Sequence, residues 1–119
     1  MNNTEKNPVY NDEDHEFLGY VANDGFSWQA LTIFGHQISL TTTREEAEAI
    51  LRERGLTYLQ GVWQYFDKDD NEWFPCVISE AYDQKVVVNR TNSLGYEEPD
   101  DRKQVTIEHP TENSLIKSS

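Results

Sequence analysis

Thr43-Arg44-Glu45-Glu46-Ala47-Glu48-Ala49-Ile50-Leu51-Arg52-Glu53-Arg54-Gly55 is the best-marked element of this chain, and its reading divides everything around it. Thr43 and Glu46 form a capping box, in which a threonine hydroxyl accepts an early backbone N–H and a glutamate reaches back. Glutamates fill the first turn and Arg52 and Arg54 the last, which suits the helix dipole. Ala47, Ile50 and Leu51 fall at i, i+3 and i+4, the spacing of one buried stripe. Gly55 stands where a C-terminal cap belongs, with Leu56 placed to fold back on Leu51. The spacing predicts a helix from Arg44 to Arg54, with strands on either side.

Upstream, Phe17-Leu18-Gly19-Tyr20-Val21-Ala22 is apolar on both faces. Asn23-Asp24-Gly25 signals a turn, because Asp-Gly readily supplies positive φ. Phe26 to Phe34 alternates in part, Gly35-His36 turns again, and Gln37-Ile38-Ser39-Leu40 is short and alternating. This reads as a three-stranded antiparallel meander. Residues 1–16 are polar and carry Asp12, Glu13, Asp14 and Glu16, too little apolar surface to offset the entropy of ordering, so a disordered acidic arm is expected.

Downstream of Gly61 the signals are again those of strands. Val62 to Phe66 is the first, Asp67-Lys68-Asp69-Asp70-Asn71 a charged hairpin loop, and Glu72 to Glu80 the second. Pro75 has no N–H to donate, which places that strand at an edge or marks a bulge. Lys85 to Arg90, Gln104 to Glu108 and Ser114 to Lys117 follow, with a long acidic loop over 91–103.

Trp73-Phe74-Pro75-Cys76-Val77-Ile78-Ser79-Glu80, then Lys85-Val86-Val87-Val88-Asn89-Arg90, with Gly95-Tyr96-Glu97-Glu98 beyond, is similar to the middle of Tudor-like SH3-type barrels. The resemblance covers 61–117. It implies a small barrel with a peptide-binding groove, sometimes an aromatic cage for methylated Lys or Arg, and by position Trp63, Tyr65, Tyr82 and Tyr96 are its partner-binding residues. The loop after Thr91 is longer than that pattern. The first half, through Trp28-Gln29-Ala30, Phe34-Gly35 and Thr43 to Ala49, resembles the sheet-plus-helix modules at the N-termini of tyrosine-type integrases. Those modules bind DNA with basic strand residues. Here no Lys or Arg occurs between Phe17 and Thr43, so the shape carries over and the function does not.

Charge narrows the partners. The 119 residues carry 22 acidic and 10 basic side chains, a net charge of −12. Nucleic-acid affinity comes largely from Lys and Arg displacing counterions, and no basic stripe exists, so neither direct nucleic-acid binding nor attachment to an anionic membrane is expected. A basic protein or peptide is the electrostatically favoured partner. No apolar run approaches the roughly 20 residues of a spanning helix. The first residues show no secretory pattern and Cys76 is the lone cysteine, which together point to a reducing, cytoplasmic setting.

Motifs that carry chemistry are few. Asp67-x-Asp69-x-Asn71 opens like a calcium loop, but Glu72 follows where glycine belongs and Ile78 stands at position twelve, so a solvated hairpin loop is the better reading. His15, His36 and His109 lack metal-ligand spacing, and Cys76 lies mid-strand in an acidic chain without an evident base. No catalytic residue, cofactor or metal is therefore expected.

The composite expectation is an α+β protein: an antiparallel three-stranded sheet with one helix over 17–60, then a small SH3-like β-barrel over 61–117, packed as one unit. Its expected role is that of a non-catalytic protein- or peptide-binding module, monomeric or weakly homodimeric through an exposed edge strand. A nucleic-acid mimic that blocks a DNA-binding protein is the second reading, and a small enzyme the third.

Overall fold

The computed structural model describes residues 5–99 and 103–118. The chain falls into two units, 1–59 and 60–119.

In the first unit four strands pair in the order β1-β2-β3-β4, all antiparallel. They are β1 (Lys6–Tyr10), β2 (Phe17–Asn23), β3 (Trp28–Leu31) and β4 (Gln37–Thr41). The helix α1 (Arg44–Arg54) packs against this sheet. Val9, Leu18, Val21, Ala30, Ala47 and Leu51 form the core, with Trp28, Ile38, Ile50 and Leu56 against it. The expected meander is thus corrected from three strands to four. The extra strand comes from the polar arm, of which 1–4 lie outside the described residues. Lys6–Tyr10 is ordered by backbone pairing to β2, and Val9 alone of the five is buried. Ladder bonds along a sheet edge need little apolar surface, which is why composition concealed this strand.

The helix has the bounds its spacing predicts. Thr43 Oγ1 accepts from Glu46 N at 3.2 Å, and the hydroxyls of Thr42 and Thr43 donate to Glu46 Oε1 at 2.6 and 3.1 Å. Gly55 caps the far end with right-handed backbone, φ −54°, and not the left-handed turn its position suggested. Its glycine is required by crowding: a Cβ there would lie 2.6 Å from the Leu51 carbonyl oxygen and 3.0 Å from that of Leu18. The chain runs on into a short 3-10 turn, Thr57–Leu59.

In the second unit five strands pair in the order β8-β7-β6-β5-β9, again all antiparallel. They are β5 (Trp63–Asp67), β6 (Glu72–Ala81), β7 (Lys85–Arg90), β8 (Gln104–Glu108) and β9 (Leu115–Lys117). The expected SH3-like barrel is corrected to an open sheet, because β8 and β9 stand at opposite edges and do not pair with each other. The three-residue β9 reaches only Trp63, Gln64 and Tyr65 of β5, too short a ladder to close a ring. The described residues are therefore mostly β, two antiparallel sheets and one α-helix.

Pro75 lies in an interior strand, contrary to expectation. Thr91 N donates to the Pro75 carbonyl at 2.9 Å, so the backbone of Pro75 faces past the last residue of β7, where its missing N–H deprives no strand residue of a partner. The bulge of β6 falls instead between Ile78 and Glu80.

Candidate functional site

Alternation along the second sheet sorts its side chains. Trp63, Tyr65 and Asp67 of β5 share a face with Phe74 and Cys76 of β6, because Trp63 pairs with Cys76 and Tyr65 with Phe74. Cys76 pairs in turn with Arg90, which puts Val86, Val88 and Arg90 on the same face, and the β7–β8 register adds Val105 and Ile107. This inner face is apolar except at one end, where Asp67, Arg90 and Lys103 meet.

Arg90 is 10% exposed and Asp67 5% at their side chains. Arg90 Nη2 donates to Asp67 Oδ2 at 2.9 Å and Nε to the Tyr65 hydroxyl at 2.9 Å. Lys103 Nζ, 40% exposed, donates to the same Oδ2 at 2.8 Å. Asp67 Oδ1 accepts from the backbone N–H groups of Asp69 and Asp70 at 2.9 and 3.3 Å. The guanidinium lies 3.8 Å from the centre of the Phe74 ring, a cation–π contact. Burying ions is costly unless partners are near and lone pairs are satisfied, and this cluster meets both conditions. The hydrogen bond from Lys103 holds the Asp67 carboxyl below its ordinary value of 3.8, and the same bond raises Lys103 above 10.5. Burial raises the Tyr65 phenol.

Beside this cluster a cleft of about 400 Å³ opens between β8 and the end of β5. Val105 and Ile107 line it on one side, Tyr65 and Asp67 on the other, with Lys68, Asp69 and Glu108 among its charged residues. Phe66 N donates to Ser114 O at 3.0 Å, and beyond that bond no β9 residue pairs with Asp67–Asp69.

The four residues expected to bind a partner divide two and two. Trp63 and Tyr65 are each 1% exposed, interior side chains of the inner face. Tyr82 is 44% exposed in the turn before β7, where its hydroxyl donates to Glu80 and Lys85 stands over its ring. Tyr96 is 69% exposed in the loop after β7. Six residues of strand separate those two positions, about 20 Å, so Tyr82 and Tyr96 belong to opposite ends of the sheet. Asn92 shapes the second loop: its Oδ1 accepts from Leu94 N and Tyr96 N at 2.9 and 3.1 Å.

The sequence marks Asp67 only as the opening of a charged loop motif and gives Arg90 and Lys103 no role. Asp67, expected in the hairpin loop, ends β5 with its side chain turned inward. One signal was available: Arg90 shares alternation with Val86 and Val88, and a strand that buries two valines on a face presents its arginine to the same interior. Cys76 is buried, and burial pushes its thiol up to about 12, which leaves it without thiolate character. Among the described residues no group of three or more His, Cys, Asp or Glu is placed to hold a metal, and no helix is long and apolar enough to cross a membrane. No family model, curated protein or solved structure matches the chain.

Proposed function

We propose that this protein is a non-catalytic interaction module that binds a basic segment of another protein, and that the cleft between β8 and β5 is where it does so. The observation that carries the reading is the cleft itself: an apolar floor of Val105 and Ile107, with Asp69 and Glu108 at its border beside Lys68 and Lys103, in a chain whose net charge of −12 favours a basic partner. A volume of about 400 Å³ lies within the range of sites that take small ligands or a few side chains. Asp67 is saturated by four donors, so it shapes the floor and leaves ligand charge to the rim.

Isothermal titration calorimetry with two extended peptides, identical except that one carries Lys where the other carries Glu, tests this. The Lys peptide binds, its affinity falls as salt rises, and the double variant D69N/E108Q binds it several-fold more weakly. Absence of binding, or equal binding of both peptides, overturns the proposal.

A further inference from the structure

The mode of that binding follows from the hydrogen-bond parity of β8. Arg90 N donates to Lys103 O at 2.8 Å, and His109 N donates to Gln84 O at 2.7 Å. Between these bonds the register runs without a break from Lys85↔Glu108 to Asn89↔Gln104. In an antiparallel ladder bonded and non-bonded pairs alternate. The intervening bonded pairs are therefore Val88 with Val105 and Val86 with Ile107. The backbone N–H and C=O groups of Gln104, Thr106 and Glu108 point the other way, off the edge of the sheet. Thr106 and Glu108 line the cleft.

Such an edge is a template for another strand, and proteins usually blunt theirs. Three of the four sheet edges here are blunted. β1 carries Pro8 and a register shift between Val9 and Tyr10. β4 is interrupted where the register of β3 shifts between Ala30 and Leu31. β9 has three residues. β8 alone offers five residues in unbroken register without proline, an edge of about 17 Å. Its central Val105-Thr106-Ile107 is β-branched throughout, a composition suited to pairing.

We infer that the occupant is an extended basic segment of another protein, added to β8 as a further strand and held by the backbone groups of Gln104, Thr106 and Glu108. This rests on the function proposed above and specifies how the cleft is used. Backbone bonds supply affinity in strand addition, and alternate side chains supply selectivity. Residues of the added strand that point inward meet Val105 and Ile107, while its charged residues meet Glu108 and Asp69. Lys103 and Arg90 share the single Asp67 carboxylate, so that cluster keeps one net positive charge and the added strand's cations belong at the Glu108 end of β8, five residues from Lys103.

The first arm of the test leaves the protein unaltered and changes the ligand backbone. The Lys peptide is made in two further versions, N-methylated at its even or at its odd amides. One version loses binding at least about tenfold and the other keeps it, because only one set of peptide amides faces the edge. In the unmodified complex, amide exchange at Gln104, Thr106 and Glu108 slows at least about tenfold. Thr106→Pro, which removes an outward N–H and no ladder bond, weakens binding with the fold retained. Binding of the Lys peptide that ignores both methylation patterns and leaves those three amides unprotected overturns strand addition and leaves the proposed function standing. No binding of any peptide overturns both. A protein already dimeric, with those amides slow before peptide is added, puts a second copy on the edge and overturns the inference.

Discussion

Asp67 is the residue on which the second sheet is tied together. Its two oxygens accept from the turn that follows it, from Arg90 at the end of β7 and from Lys103 just before β8. Because its carboxyl is depressed in the folded state, it contributes stability that is present above its ordinary value of 3.8 and lost as pH falls through the lower folded value. Lys103 runs the other way: its folded value is raised, so its contribution is complete below 10.5 and is lost as pH climbs through the higher folded value. Asp67→Asn lowers the melting temperature above pH 3.8, and the gap between variant and wild type narrows as pH falls from 3.8 through the lower folded value, below which both side chains are neutral. A gap that stays constant from pH 7 to pH 2 contradicts the role given to this carboxylate.

At the scale of elements, the tightest constraint sits between β2 and β3. Gly19 has φ +142°, and a Cβ there would lie 2.2 Å from the Leu31 carbonyl oxygen. Gly19→Ala is expected to cost on the order of 3 kcal/mol or more through strain and overpacking, whereas Thr43→Ala, which removes only the helix cap, costs about 1 kcal/mol. Urea denaturation of the two variants ranks them. The cap was legible from sequence because its chemistry is local: a threonine, a glutamate three residues on, and an i, i+3, i+4 stripe. The strands after Trp63 were legible for the same reason, since alternation is also local. What escaped was long-range. β1 is held by backbone pairing to a strand several residues later, Pro75 is tolerated because of where β7 stops, and the Asp67–Lys103 bond spans 36 positions. No short window contains both members of the last two relationships, and β1, though paired to a strand only 7 to 16 positions on, carries no apolar alternation of its own to mark it. The cleft was hidden on the same ground, for it is a gap between strands far apart in the chain.

For the whole molecule the dominant quantity is charge. A net −12 on 119 residues is self-repulsive, and the few described ion pairs on the helix surface, such as Arg44 with Glu48 at 2.8 Å, offset little of it. Raising sodium chloride from about 0.02 M to about 0.3 M is therefore expected to raise the melting temperature, since screening acts on many unpaired like charges and leaves the buried Arg90–Asp67 pair largely untouched. A melting temperature that falls with salt would mean that surface ion pairs outweigh the repulsion. The same distribution of residues has a practical consequence. Trp28 is the sole tryptophan of residues 1–59, half-buried with Arg44 over its ring, while Trp63 is sealed inside the second sheet and Trp73 is 38% exposed on it. Trp28→Phe consequently leaves a protein whose tryptophan emission, excited at the red edge where tyrosine does not absorb, arises from the second unit alone: a blue-shifted, quencher-resistant component from Trp63 and a red-shifted, quenchable one from Trp73.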